Sequence, residues 1–171
     1  MKTDHILRAL IGVLLIAVVL VIVGSLRERV VVVGDTAPDF SVVTDNGGRV
    51  SRANFGGKLL VLNFWATWCP PCVEEMPSLV EFQREFASSG VVVLGISVDK
   101  NEKAYRDFLR KNNVAFQTAR DPGAKISVDY GTFKYPETYI IDSRGKVVQK
   151  IIGPMNWTDE NTISYVRSLI G

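Results

Sequence analysis

The only two cysteines of the chain, Cys69 and Cys72, lie between a predicted buried strand and a predicted helix. The run Leu59 to Trp65 before them is apolar apart from Asn63, as in a strand buried on both faces. Pro70 to Ser88 follows with apolar residues near the 3.6-residue spacing of a helix. A strand of this kind leading straight into a helix favours an α/β fold with a covered sheet.

This position also determines what the two thiols can do. A cysteine at a helix N-terminus meets unpaired N–H groups and the positive end of the helix dipole, which favour the thiolate. Cys72 lies one helical turn after Cys69, so the pair can attack a disulfide and then resolve the mixed disulfide. The motif therefore predicts thiol–disulfide exchange.

Other uses of a Cys-x-x-Cys pair fit this chain less well. A structural zinc site needs four ligands, and the chain offers two cysteines and one histidine, His5, ahead of an apolar segment. A copper site that pairs two cysteines with a distant histidine lacks that histidine. Haem attachment requires histidine directly after the second cysteine, where the chain has Val73. A purely structural disulfide here would close too small a loop to stabilise the fold much. We expect no metal.

The N-terminal segment predicts a membrane anchor. Ala9 to Leu26 is a stretch of eighteen apolar or small residues, just long enough to cross a hydrocarbon core as a helix. A cleaved signal peptide is the alternative, although no clear Ala-x-Ala-like site closes the stretch. We expect residues 1–33 to form a cytoplasmic tip, transmembrane anchor and tether, and residues 34–171 to form one domain outside the cytoplasmic membrane.

The sequence patterns of the domain predict alternating strands and helices. The net charge of +2 and the lack of basic runs give no reason to expect nucleic-acid binding. The predicted elements are a hairpin from Asp39 to Ser51, a strand Leu59 to Trp65, a helix Pro70 to Ser88, a strand Val91 to Val98, a helix Glu102 to Lys111, a hairpin Glu137 to Ile152, and a helix from Thr158. This order predicts a mixed central sheet flanked by helices.

Two motifs carry a resemblance to a known family. The stretch 61–72 (VLNFWATWCPPC), the helix proline Pro77, and the stretch 134–142 (KYPETYIID) resemble the thioredoxin superfamily, in particular its membrane-anchored TlpA/ResA-like branch, which includes cytochrome c maturation reductases. The match covers Gly34 to Gly171. It implies a thioredoxin-like fold with an N-terminal β-hairpin and an insertion, which Asp99 to Tyr135 is long enough to hold.

The resemblance also implies roles for individual residues. Cys69 corresponds to the exposed attacking thiol and Cys72 to the buried resolving thiol, and together they form the redox-active disulfide, with no other cofactor. Pro136 corresponds to a proline after a cis peptide bond, which would turn the backbone of Tyr135 toward a substrate strand. The residues expected to bind substrate are Trp68, Pro70, Pro71, Tyr135, Pro136 and Glu137.

One position departs from cytosolic thioredoxins. They carry a buried aspartate that assists proton transfer to the buried thiol, where this chain has Asn63. Glu75, three residues after Cys72, lies near the same helix face and matches a glutamate of the TlpA/ResA-like branch. We expect Glu75 to have a raised pKa and to carry the proton of Cys72. We expect its neighbour Glu74 to be solvated.

The function implied by the resemblance is reduction of protein disulfides in an oxidising compartment. The expected clients are Cys-x-x-Cys-His segments of apocytochrome c, and the expected partner is a membrane electron donor of the CcdA/DsbD type. Two alternatives remain open: a tethered binding or chaperone module with an inert disulfide, and a peroxidase of the peroxiredoxin type. No proline of the peroxiredoxin pattern precedes Cys69.

Overall fold

The computed structural model describes residues 2–25 and 30–171. Within them the chain forms seven strands and five helices. The strands are β1 Ser41–Val43, β2 Arg49–Ser51, β3 Leu59–Trp65, β4 Val91–Ser97, β5 Gln117–Arg120, β6 Glu137–Asp142 and β7 Val147–Ile152. The helices are α1 Lys2–Ser25, α2 Pro70–Phe86, α3 Glu102–Lys111, α4 Lys125–Asp129 and α5 Glu160–Ile170.

The centre of the domain is a five-stranded mixed sheet in the order β5-β4-β3-β6-β7. Strand β3 pairs parallel with β4 and antiparallel with β6, β5 pairs parallel with β4, and β7 pairs antiparallel with β6. Strands β1 and β2 form a separate antiparallel hairpin. This arrangement confirms the mixed sheet and the N-terminal hairpin expected from the sequence.

Alternation along β3 divides the core into two clusters, one on each face of the sheet. Leu59, Val61 and Trp65 belong to the cluster that includes the buried side chains of α2, among them Cys72. Leu60, Leu62 and Phe64 belong to the opposite cluster, which packs against the β1–β2 hairpin. The dithiol that follows β3 therefore lies on the face of the sheet that is covered by α2.

Most predicted elements match the structure to within two residues at their shared boundaries. The exceptions are β5 and α4, which the sequence analysis did not predict; both lie inside the stretch from Asp99 to Tyr135, expected to hold an insertion. Strand β5 is four residues long and forms an edge of the sheet. Helix α4 is a short helix of five residues.

The predicted transmembrane helix is not found. Helix α1 covers most of the expected span, but among residues 2–25 and 30–171 no helix is long and apolar enough to cross a membrane. Leu26, at the end of the expected span, lies outside the described residues. The division at residues 33 and 34 stays a prediction, although Val31 is already buried and donates its N–H to the carbonyl of Tyr130 at 3.2 Å.

Candidate active site

The two cysteines form a disulfide at the start of α2. Cys69 is the N-cap residue, with an extended backbone, and its Sγ accepts the N–H of Cys72 at 3.3 Å. Pro70 and Pro71 occupy the first helical positions, where a missing N–H costs nothing. Cys69 is not the exposed thiol that was expected, because both cysteines are buried in the disulfide form, but Cys69 keeps 5% of its surface exposed and Cys72 none, so Cys69 is the more accessible of the two.

The loop that precedes β6 lies beside this disulfide. The Tyr135–Pro136 peptide bond is cis, as expected. The Tyr135 ring packs edge-on against Trp68, with 6.1 Å between the ring centroids. Trp68 is 64% exposed, so it presents a large aromatic surface next to Cys69. Trp68, Tyr135 and the disulfide thus share one surface that a client chain can reach.

Glu75 lies behind the disulfide, on the next turn of α2. The carboxyl is buried; Oε1 accepts from Asn63 Nδ2 at 2.8 Å and Oε2 accepts the Met155 N–H at 3.1 Å. Burial raises the pKa of Glu75 from 4.5 to about 7, although the two hydrogen bonds act in the opposite direction. The Trp157 indole N–H lies near the carboxyl without forming a hydrogen bond. The prediction of a raised pKa for Glu75 therefore agrees with its environment.

An open groove of about 450 Å³ runs along the outer side of Glu75. It is bordered on one side by Glu74, Pro77 and Glu81 of α2 and on the other by the segment 154–156. Glu74 is exposed, as expected from the sequence, whereas Glu75 points inward. The groove brings solvent to the edge of the buried carboxyl.

A residue that the sequence analysis did not single out orders the loop before the disulfide. The buried carboxylate of Asp99 accepts hydrogen bonds from the Thr67 N–H at 2.9 Å, the Thr67 hydroxyl at 2.7 Å and the Ser97 hydroxyl at 2.7 Å. Three donors offset the cost of burying the charge. The position of Asp99 just after β4, next to the end of β3, is the one sequence feature that points to this role.

Glu137 is the predicted site residue that the structure places on the other face of the sheet. Its register partner on β3 is Phe64, which packs in the cluster opposite the cysteines. Its carboxylate is fully buried and pairs with Lys150 Nζ at 2.9 Å and with the Tyr139 hydroxyl. Glu137 follows Pro136 directly but supports the loop from behind instead of facing the disulfide.

Comparison with known proteins agrees with this geometry. A model of the AhpC/TSA family matches residues 33–150. The chain belongs to this family. It is 33% identical over 143 residues to the thiol-disulfide oxidoreductase ResA of Bacillus thuringiensis subsp. konkukian, covering 84% of this chain and 82% of the relative. It is 38% identical over 133 residues to the thioredoxin-like protein YneN of Bacillus subtilis, covering 77% and 78%.

The solved structures lead to the same conclusion. A thiol:disulfide interchange protein of the thioredoxin family from Chlorobium tepidum TLS superposes with a TM-score of 0.68 and 30% identity, covering 82% of this chain and 99% of that one. The fold is thioredoxin-like, and the protein is a thiol–disulfide oxidoreductase. Its redox group is the Cys69–Cys72 disulfide.

Proposed function

We propose that this oxidoreductase is a reductant of protein disulfides outside the cytoplasmic membrane, with Cys-x-x-Cys-His segments of apocytochrome c as its clients. The observation that carries the proposal is the buried carboxyl of Glu75, whose pKa of about 7 lets it act as a base for Cys72 at neutral pH. A base of this kind assists the resolving thiol, which must lose its proton before it can release a reduced client.

In the proposed reaction, the Cys69 thiolate attacks one sulfur of the client disulfide and the other client sulfur leaves as a thiolate. Cys72 then gives its proton to Glu75 and attacks Cys69, which releases the second client sulfur. Two electrons pass from the dithiol to the client, and the Cys69–Cys72 disulfide forms. Glu75 returns its proton to solvent through the adjacent groove.

The client surface in this proposal consists of exposed and half-buried residues around Cys69, with the buried Pro136 behind them. Trp68 and Tyr135 supply aromatic contacts, and the exposed Pro70 lies beside the attacking sulfur. The backbone of Tyr135 pairs with an extended client segment, with Pro136 fixing its direction. The half-buried Pro71 completes the rim.

A redox titration of the full-length chain against glutathione tests the direction of exchange. A reductant is expected to have a reduction potential near that of thioredoxin, about −270 mV. A strong oxidant would have a potential of about −120 mV. We also expect it to reduce a disulfide within a synthetic Cys-x-x-Cys-His peptide. A potential near that of the strong oxidant would contradict the proposal.

We further propose that the protein is held at the cytoplasmic membrane and is re-reduced by a membrane electron donor of the CcdA/DsbD type. Support comes from the exposed apolar side chains along α1, which extend from Leu10 to Val21. A tether raises the local concentration of the domain at such a donor. We expect the full-length chain to stay in the membrane fraction after a carbonate wash. A mature N-terminus between about residue 24 and residue 34 would instead indicate a cleaved signal peptide.

Replacing Glu75 with glutamine is expected to slow thiol–disulfide exchange near pH 7 and to change its pH dependence. Glutamine keeps the size of the side chain but cannot take a proton from Cys72. The measurement is the exchange rate of wild type and variant between pH 5 and pH 9. Glu74→Gln, on the exposed neighbouring position, is the matched control and should leave the profile unchanged. Identical profiles for wild type and Glu75→Gln would reject a role for this carboxyl.

The same variant has a second, independent consequence for stability. Between pH 4.5 and about 7, Glu75 of the unfolded chain is ionised while that of the folded chain holds its proton, so the fold loses stability as pH rises. The difference between the pKa values of Glu75 in the unfolded and folded chain lowers the free energy of unfolding by about 3 kcal/mol over this range, because each pKa unit is worth about 1.4 kcal/mol. Urea unfolding at pH 4 and pH 8 should show this loss in wild type and not in Glu75→Gln.

A further inference from the structure

The amide of Asn63 has an incomplete set of hydrogen-bond partners. Asn63 is fully buried on β3, and its Nδ2 donates both to Glu75 Oε1 at 2.8 Å and to Thr138 Oγ1 at 2.9 Å. Thr138 is its direct cross-strand partner on β6. Its Oδ1 has no partner among the described residues. A buried acceptor without a donor is unfavourable, and native proteins keep few of them.

The observed arrangement suits only one protonation state of Glu75. Both carboxyl oxygens meet N–H donors, one from Asn63 and one from the backbone of Met155. A proton on either oxygen would point at an N–H group. The Met155 N–H belongs to the backbone that follows Pro154, whereas the Asn63 amide can reverse by half a turn with little change in shape, because its oxygen and nitrogen are similar in size.

We propose that Asn63 is a positioning residue whose amide reverses each time Glu75 gains or loses a proton. With Glu75 ionised, the amide donates to Glu75 and Thr138. With Glu75 protonated, Oδ1 takes the place of Nδ2 and accepts from the carboxyl O–H and from the Thr138 hydroxyl. The hydroxyl fits both states because it can donate or accept. The inference rests on the proposed proton transfer from Cys72 and adds the residue that adapts to it.

The charged groups around Glu75 do not fix its protonation state, so the adjustment to that state depends on Asn63. The titratable groups that line the groove with Glu75 are the carboxylates Glu74 and Glu81, and the two cysteines do not titrate because they are joined in the disulfide. Among the described residues that line the groove there is no lysine, arginine or histidine. No cation therefore holds Glu75 in its ionised form. With a pKa of about 7, both forms of Glu75 are populated at neutral pH.

Nuclear magnetic resonance on the oxidised full-length chain in detergent tests the reversal without any turnover. The Nδ2 protons of Asn63 should move upfield as Glu75 is protonated, because they lose two acceptors, with the same midpoint as the Glu75 carboxyl carbon. If the Asn63 resonances stay constant while the Met155 amide proton shifts, the backbone adapts and the proposal is wrong. This readout does not depend on the proposed function. The proposed function would be rejected by a lack of disulfide exchange.

Replacing Asn63 with leucine, which is similar in size, extends the test. The charge-assisted hydrogen bond to the carboxylate is roughly twice as strong as its neutral counterpart. Its loss should therefore raise the Glu75 midpoint by about one pH unit, a tenfold drop in the ionised fraction at a pH well below the midpoint. Ser78→Ala is the matched control, since Ser78 bonds the Glu75 carbonyl and the Trp157 N–H but not the carboxyl. An unchanged midpoint in Asn63→Leu would overturn the proposal.

Discussion

Cys72→Ser is expected to convert the protein into a trap that holds clients as mixed disulfides through Cys69. Cys69 caps α2 and keeps some exposure, so its sulfur can reach a client, while the serine hydroxyl at position 72 cannot resolve the product. Catalytic turnover should fall to background. Non-reducing electrophoresis of the full-length variant after incubation with a disulfide-containing peptide measures the trapped product.

Cys69→Ser is the matched control for this experiment. Cys72 has no exposed surface, so this variant should form no mixed disulfide and should react slowly with an alkylating agent. Trapping through Cys72 would reverse the assignment of attacking and resolving thiols. Absence of trapping in both variants, together with no exchange in wild type, would favour the tethered binding module with an inert disulfide.

The strand and helix that carry the dithiol could be predicted from the sequence because their patterns are local and strong. Seven consecutive buried residues in β3 and the apolar spacing of α2 leave few alternatives. The position of Cys69 at the helix N-cap follows from this junction alone. The hairpin of β6 and β7 was also predicted, since Ser143 to Gly145 separates two runs rich in apolar residues.

Strand β5 and helix α4 depend on contacts from distant parts of the chain. Strand β5, Gln117–Arg120, has no apolar alternation, and its place at the sheet edge comes from pairing with β4 and from the Asp45 N–H, which donates to the Thr118 carbonyl at 2.9 Å. Helix α4 has only five residues, too few for a helical period. Tertiary contacts decide such elements, so local patterns do not predict them.

The candidate site shows the same limit. Glu75 could be predicted from its distance to Cys72 along α2. Its two hydrogen-bond partners come from other places in the chain, Asn63 on β3 and Met155 after β7, and Asn63 in turn donates to Thr138 on β6. The register between β3 and β6 brings Asn63 and Thr138 together, and register is a property of the folded sheet.

The largest element of the site neighbourhood that the sequence did not reveal is the charged pair behind Pro136. Lys150 Nζ binds Glu137 Oε1 at 2.9 Å and the Val31 carbonyl at 3.0 Å, and it lies 5.1 Å from the centre of the Tyr139 ring. The lysine side chain is 10% exposed and the glutamate is not exposed. Lys150 thus joins the segment before the domain to the residue that follows the cis peptide bond.

Lys150→Met is therefore expected to lower the free energy of unfolding by about 3–5 kcal/mol. Removing one partner of a buried ion pair leaves the other charge without compensation, and this penalty far exceeds the net value of the pair. The measurement is urea unfolding of the oxidised full-length chain at pH 7. Lys146→Met is the matched control, because Lys146 is exposed on the same hairpin and reaches the Gly34 carbonyl only at 3.4 Å. It should change stability by less than about 0.5 kcal/mol.

A double variant separates the unpaired charge from the loss of lysine itself. Glu137→Gln combined with Lys150→Met removes both charges, so it should recover a large part of the stability lost in Lys150→Met alone. The Glu137 carboxylate also accepts the Tyr139 hydroxyl, a bond that glutamine can still accept through its carbonyl oxygen. If the double variant were as unstable as Lys150→Met, the cost would lie in lost packing and in the Val31 contact, and not in the buried charge of Glu137.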